Sequence, residues 1–241
     1  MSNNNICVIV PARGGSKGIP QKNIKVLGKE PLVCWAIKVA QDLGIVNTSD
    51  IYLSTDCAEI ENIGRDCGAQ IIKRPASLAQ DNSTVISMID HHLALFKSSG
   101  HNYDIVVYLE PTSPFRTKEE VLKCIYALKN NNYDSVATFA ETSFEIKNLL
   151  IEQSDGSLIT HPNLEASISS PEKAYVLSGA VYAFSIASYL EHRPTGIYFG
   201  NQGHVVQTSP HIDIDEPHDL NKAKNLLYSL IGTYWNKLNL V

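Results

Sequence analysis

The sequence has no Cys-x-x-Cys pair, no apolar run approaching the roughly 18 residues of a membrane span, and no excess of positive charge. Each absence removes a class of function. Without cysteines at metal or redox spacing, the five present (Cys7, Cys34, Cys57, Cys67 and Cys124) read mostly as small buried hydrophobes in a reducing compartment. The lack of a long hydrophobic run argues against a membrane partner. The opening Met1-Ser2-Asn3-Asn4-Asn5 lacks the charged-then-apolar pattern of a signal peptide. Twenty Lys and Arg against 25 Asp and Glu give a formal charge of −5, which argues against a nucleic-acid coat but permits a local basic pocket. Repeats, low-complexity tracts and flexible linkers are also missing. What remains is a cytoplasmic globular protein of 241 residues, 44 % hydrophobic, read as a single domain over 1–241.

Short β-branched runs alternate with helical patterns from the start. Residues 6–10, all apolar, form the kind of strand that a parallel sheet buries on both faces. After Pro31, Leu32, Trp35, Ala36, Val39, Ala40 and Leu43 recur at helical spacing until Gly44. Strands are expected at 51–55, 69–73, 105–109 and 135–140, with helices over 58–67, 83–97 and 118–129 between them. Such alternation makes βαβ units and a doubly wound, mostly parallel sheet of the Rossmann-like α/β class. The rhythm breaks after Glu141. Residues 142–174 are polar and turn-rich, with Asp155-Gly156 as a hairpin turn between 149–153 and 158–160, and read as an insertion on the side of the sheet. Strands resume at 176–185, 197–199, 205–208 and 211–214, and a last helix starts near Pro217.

Three loops carry chemistry. Pro11-Ala12-Arg13-Gly14-Gly15-Ser16-Lys17-Gly18-Ile19-Pro20-Gln21-Lys22-Asn23 follows the first buried strand, where open α/β sheets bind ligands. Its glycines let backbone approach an anion, and Arg13, Lys17 and Lys22 supply cations. It matches neither Gly-x-Gly-x-x-Gly nor the P-loop, so a dinucleotide cofactor and a P-loop NTPase are disfavoured. The bland alternative is a basic surface turn. In His211-Ile212-Asp213-Ile214-Asp215-Glu216, strand alternation puts Asp213 and Asp215 on one face and Ile212 and Ile214 toward the core. Two carboxylates a pleat apart repel unless a cation lies between them, and hard oxygens suit Mg²⁺. His211 shares their face as a bystander. Capping of the Pro217 helix by Asp215 or Glu216 is a compatible alternative. The third loop, Glu110-Pro111-Thr112-Ser113-Pro114, is stiffened by two prolines and offers hydroxyls to a ligand.

Together with Ser54-Thr55-Asp56 and Arg74-Pro75, these motifs occur in the order in which they recur in the acylneuraminate cytidylyltransferases, and the sequence resembles that family over about residues 6–230. These enzymes make CMP-sialic acid and related CMP-nonulosonates. The resemblance implies that Arg13, Ser16 and Lys17, with the backbone of Ala12 and Gly14, hold the CTP triphosphate, with Lys22 beside the α-phosphate. It places Asn23, Arg74 and the segment from Asp81 to Ser83 at the cytidine end; read from the residues alone, Asn82 or Ser83 offers a helix cap. Asp213 and Asp215 would bind Mg²⁺. Glu110, Thr112, Ser113, Lys147, Ser178 and Tyr182 fall on the sugar side, and 142–175 corresponds to a dimerisation arm, which implies a homodimer. Arg13, Lys22, Asp213 and Asp215 are the implied catalytic set.

Departures from the family sit on the sugar side. Glu110 stands where Gln is usual, Ser178-Gly179-Ala180 where Asn-Gly-Ala is usual, and Lys173 is the one Lys or Arg between Lys147 and Arg193. The nucleotide half is thus conventional and the acceptor half altered. Two other classes stand beside this reading: a catalytically silent nucleotide-binding module, and transfer of a different nucleotide to a sugar phosphate.

Overall fold

The computed structural model describes residues 5–131, 133–142, 150–152, 158–160, 174–199, 203–207, 212–230 and 237–240. In chain order the first elements are β1 (Ile6–Pro11), the short hairpin of β2 (Val26–Leu27) and β3 (Glu30–Pro31), α1 (Leu32–Asp42), β4 (Ile51–Thr55), α2 (Ala58–Asp66) and β5 (Gln70–Lys73). Then come α3 (Val85–Ser98), β6 (Ile105–Leu109), α4 (Lys118–Asn131), β7 (Ser135–Thr142) and the pair β8 (Leu150–Glu152) and β9 (Leu158–Thr160). The described elements close with β10 (Ala174–Ser185), α5 (Ile186–His192), β11 (Gly203–Gln207) and α6 (Pro217–Leu227).

Seven strands form one sheet in the order β11-β7-β10-β6-β1-β4-β5. All its pairings are parallel except those of β10, which runs antiparallel to both β6 and β7. Every residue of β1, β4 and β6 is buried, as continuous apolar runs require when helices cover both faces of a sheet. The chain winds from β1 through β4 to β5 on one side, and β6 lies on the other side of β1. That reversal leaves a crevice at the carboxyl ends of β1 and β6.

α1 is buried more completely than one apolar stripe predicts, because Val33, Cys34 and Ile37 are covered as well. The helix is wedged between two cores. Val33, Ala36, Ile37 and Val39 pack on the sheet, while Leu32 and Trp35 join Phe115, Ile214, Ala223 and Leu240 in a second cluster. Trp35 donates its indole N–H to the Leu27 carbonyl at 2.9 Å and meets Phe115 edge-on.

Several local expectations need correction. Residues 197–199 and 212–215 form no strand. The second of these crosses the end of β6 instead of joining a ladder, and its Ile214 N–H bonds the Thr112 carbonyl at 2.8 Å. Ile212 and Ile214 still point into the core, so side-chain alternation survives without sheet pairing. α3 starts at Val85, not 83, with Thr84 as its cap: the Thr84 hydroxyl accepts the Ser87 N–H at 3.1 Å. At α6 neither Asp215 nor Glu216 takes the capping role, since Asp219 reaches back to the N–H groups of both. Cys34 and Cys67 are joined as a disulfide, whereas Cys7, Cys57 and Cys124 are free. The packing of α1 against the end of α2 brings their Cα atoms to 6.0 Å, a proximity that a separation of 33 residues conceals. Within the expected insertion, β8 and β9 pair antiparallel, and the expected Asp155-Gly156 turn lies outside the described residues. Lys147 and His211 lie outside the described residues, as do 143–149 and 161–173. Among the described residues no helix is long and apolar enough to cross a membrane.

Candidate functional site

Four loops leave the carboxyl ends of neighbouring strands and converge. The loop after β1 carries Arg13 to Asn23, that after β4 carries Asp56, Arg74 follows β5, and Glu110 to Ser113 follow β6. The first loop is held by side-chain hydrogen bonds from within and from the loop after β4. Asp56 accepts the Gly14 N–H at 2.8 Å, and buried Asn23 donates its amide to the Arg13 carbonyl at 2.9 Å. Where this loop crosses the segment bearing Asp215, only glycine fits: a Cβ on Gly18 would lie 2.2 Å from the Asp215 carbonyl oxygen. Gly18→Ala should therefore destabilise the fold by about 1–3 kcal/mol, the usual cost of forced overpacking, as measured by chemical denaturation. An unchanged midpoint would mean that the two segments separate freely.

The convergence encloses a cavity of about 320 Å³, lined among others by Arg13, Ser16, Lys22, Asn23, Arg74, Asp81, Ser83, Glu110 and Thr112. A second cavity of about 340 Å³ adjoins it, with Tyr182, Gly179, Asp213 and Asp215 on its far side. Lys22, Val85, Glu110 and Thr112 line both and form the shared wall. Any group transferred between occupants of the two cavities would pass Lys22.

The cations are held by carboxylates. Asp81 bridges Arg13 at 2.8 Å and Lys17 at 3.0 Å, and the hydrogen bonds from Lys17 and then Arg13 hold its carboxyl below the usual range. The side chain of Lys22 is only 13 % exposed, and its ammonium meets Asp215 at 2.6 Å. Arg74 is buried, donates to the Ser54 hydroxyl and carbonyl, and is pulled below the ordinary arginine range by desolvation. The Ser113 hydroxyl donates to the Ser178 carbonyl at 3.2 Å and faces Asp213 at 3.5 Å. β10 bulges between Leu177 and Tyr182, and within the bulge Gly179 takes φ +72°, which suits glycine. The bulge brings a backbone without a side chain beside Asp213 and Ser113.

Glu110 sits on the shared wall, where desolvation pushes its carboxyl from 4.5 up to about 7 against the pull of Arg116, Arg74 and Lys22. The folded protein then keeps a proton on Glu110 between pH 4.5 and 7 that the unfolded chain has released, so this group lowers stability as pH rises through that window. Glu110→Gln should melt at a higher temperature than the parent at pH 8, with the gap shrinking toward pH 5. A gap independent of pH would mean that Glu110 stays ionised throughout.

Most of the expected site residues come together in the two cavities. Ala12 and Gly14 line neither cavity: the Ala12 N–H bonds the Ser54 carbonyl at 2.9 Å and the Gly14 N–H is taken by Asp56. Lys17 is largely exposed and reaches the site through Asp81. Ser113 and Ser178 are buried beneath Asp213 and line neither cavity. Ser178 instead donates to Thr138 at 2.7 Å, which anchors the bulge. Sequence reasoning missed Thr84, Val85 and Met88, which bring the first turns of α3 to the nucleotide-sized cavity. The apolar spacing of that helix was visible, but not which of its ends faces the crevice. Ser54 was noted only within the Ser54-Thr55-Asp56 motif, and its pairing with buried His92 behind Arg74 was missed. The signal for that pairing was a histidine on an otherwise apolar helix face.

With this geometry in place, comparisons with known proteins become informative. The sequence model of the family described as Cytidylyltransferase matches residues 7–229. The chain is 29 % identical over 231 residues to the CMP-N,N'-diacetyllegionaminic acid synthase of Legionella pneumophila, covering 92 % of this chain and 96 % of that protein. It is 34 % identical over 131 residues to N-acylneuraminate cytidylyltransferase A of Danio rerio, covering 54 % of this chain and 29 % of the relative. To the N-acylneuraminate cytidylyltransferase of Streptococcus agalactiae it is 24 % identical over 212 residues, 87 % of this chain and 49 % of the relative. The chain thus spans less than half the length of the latter two. Among solved structures it is similar to a CMP:2-keto-3-deoxy-manno-octonic acid synthetase complexed with CTP, with a TM-score of 0.67 and 14 % identity over 93 % of this chain and 99 % of that one. A 4-diphosphocytidyl-2C-methyl-D-erythritol synthase from Anaerococcus prevotii gives 0.61 and 17 % over 94 % and 97 %. At these identities the likeness shows the nucleotidyltransferase form of the α/β fold and nothing finer.

Proposed function

Because the chain belongs to the cytidylyltransferase family, we propose that it transfers CMP from CTP to a 2-keto-3-deoxy sugar acid of the sialic or nonulosonic type and releases pyrophosphate. The observation that carries this reading is the pair of adjoining cavities with Lys22 on their common wall. CTP would occupy the first, with its triphosphate toward Arg13, Ser16 and Lys17 and its cytidine toward Asn23, Arg74 and Ser83. The acceptor would occupy the second, against Tyr182, Thr112 and Glu110, with Lys147, Ser113 and Ser178 completing or supporting that side. An acceptor hydroxyl attacks the α-phosphorus, a new P–O bond forms, and the bond to the β-phosphate oxygen breaks. Lys22 offsets the negative charge that grows at the α-phosphate during this exchange.

Asp213 and Asp215 fit a divalent cation: both carboxylates line the acceptor cavity, and Mg²⁺ is commonly held by one or two carboxylates together with substrate phosphates. When bound there, Mg²⁺ would neutralise phosphate charge. Within this reading the enzyme is a cytoplasmic homodimer and binds no nucleic acid. It is one domain over 1–241, with 142–175 as the dimerisation arm. The exposed Tyr175, Val176 and Leu177, at the end of β10 that enters this arm, support the dimer, since such an apolar strip suits burial against a second copy.

Pyrophosphate release tests the reading. CTP should support it with at least one of several 2-keto-3-deoxy sugar acids, and UTP and ATP should not. Absence of release with every acid would sink the reading. The choice of acceptor falls to Glu110, which above about pH 7 is a carboxylate that accepts hydrogen bonds and favours a sugar face that presents hydroxyls or an amino group. Glu110→Gln should shift the ratio of kcat/KM for two acceptors toward the N-acylated one. A ratio that stays within about twofold, less than ~0.5 kcal/mol of discrimination, would relieve Glu110 of that role.

A further inference from the structure

Behind Arg74 lies a buried polar chain that no part of the reaction uses directly. Arg74 Nε donates to Ser54 Oγ at 3.2 Å and Nη2 to the Ser54 carbonyl at 3.0 Å. Ser54 Oγ is 2.7 Å from His92 Nε2, and His92 Nδ1 is 2.8 Å from the Tyr108 hydroxyl. Ser54, His92 and Tyr108 have no exposed surface, and the His92 ring stacks on that of Tyr108. The chain spans β4, the loop after β5, β6 and α3.

Its proton order follows from the one member that cannot reverse. A guanidinium only donates, so Ser54 Oγ accepts from Arg74. Among the described residues the Ser54 hydroxyl then has a single acceptor, His92 Nε2. With Nε2 as that acceptor, the ring holds its hydrogen on Nδ1, and Nδ1–H donates to Tyr108. Desolvation and the nearby Arg74 depress His92 to about 3, so the ring is uncharged at working pH and carries a single hydrogen. In either tautomer one hydroxyl, that of Ser54 or that of Tyr108, donates to no described acceptor, so the order is set by polarisation: a hydroxyl that accepts from the Arg74 cation is the stronger donor toward Nε2.

We propose that His92 is a positioning residue of the nucleotide cavity, which orients the Ser54 hydroxyl so that Ser54 holds the Arg74 guanidinium in one pose against the cavity. The proposal rests on the functional reading above for the identity of the ligand, CTP, but not for the chain itself. Ser54 engages two of the five N–H groups of Arg74, which leaves the others to meet a nucleotide without first ordering the side chain. Holding a long side chain in place removes an entropic cost from binding, so the effect falls on nucleotide affinity more than on turnover.

Two measurements test it. Imidazole nitrogen shifts of the ligand-free protein should show His92 as the Nδ1–H tautomer, unchanged between pH 5 and 8. An Nε2–H tautomer, or a ring that titrates in that range, would overturn the proposal. Isothermal titration with CTP should then give about tenfold weaker binding for both His92→Phe and Ser54→Ala, the scale of one hydrogen bond to a charged group. Ser54→Ala deletes a single oxygen, so it remains informative if His92→Phe fails to fold. His92→Gln, which can again accept at one end and donate at the other, should recover most of the loss, and kcat should stay within about threefold in each variant. In an Arg74→Ala background neither substitution should weaken CTP binding further, because the group being positioned is gone. Additive losses in that background would reduce His92 and Ser54 to packing residues and overturn the proposal. If the parent protein binds no CTP, the functional reading fails, and the nitrogen shifts, measured without nucleotide, still decide the proton order.

Discussion

Lys22→Ala is expected to lower kcat by about 10²-fold while changing KM for CTP far less. The magnitude is that of removing one preorganised charge from the position where transition-state charge develops. The location of Lys22 on the common wall of the two cavities motivates it, together with a side chain only 13 % exposed. A cation in so dry a place acts strongly on a neighbouring phosphate. Removing the ammonium also frees Asp215, but that carboxylate is 66 % exposed, so solvent takes over its solvation and the fold loses little. Lys17 provides the contrast. It is 77 % exposed, lines neither cavity and is tied to Asp81, so Lys17→Ala should raise KM for CTP modestly and leave kcat near normal. Steady-state kinetics over a range of CTP separates the two. Unchanged kcat in Lys22→Ala would show that its ammonium does not follow the charge of the reacting phosphate.

The second large effect concerns the acidic pair. Asp215→Ala and Asp213→Ala should each depress kcat by at least ~10²-fold, and chelation of divalent ions should stop the parent enzyme. The two residues differ in surroundings, which makes the pair of variants informative. Asp215 is exposed and bound to Lys22, whereas Asp213 is partly buried beside Gly179 and within 3.5 Å of the Ser113 hydroxyl. If the role were only to neutralise Lys22, the effect would fall on Asp215→Asn, its ion-pair partner, and Asp213→Asn would be silent. Turnover after chelation, or near-normal kcat in both alanine variants with the fold intact, would sink the metal assignment. Thermal melts with and without Mg²⁺ and CTP supply the folding control.

Residues 6–10, 51–55 and 105–109 were legible as buried strands because they are continuous apolar runs of strand length, and a helix between each pair makes parallel pairing the only short connection. The first loop was legible for a related reason: glycines and cations directly after such a strand have few structural uses. Asp213 and Asp215 were found for a partly wrong reason. Alternation with Ile212 and Ile214 was read as a strand, whereas the segment is anchored by one hydrogen bond from Ile214 to Thr112 and by burial of the two isoleucines.

By itself, then, the sequence determined the α/β alternation, the loops that hold the cations and carboxylates, and the residue types available for phosphate chemistry. These are local properties, written in spacing and composition. Tertiary structure alone decided that Lys22 meets Asp215 across 193 residues, that Glu110 is dry enough to hold a proton up to about pH 7, and that Ser54, His92 and Tyr108 stand in line behind Arg74. It also decided that Cys34 and Cys67 are neighbours. The physical reason is that hydrogen-bond geometry and desolvation depend on which atoms lie within a few ångströms, and packing, not chain order, sets that distance.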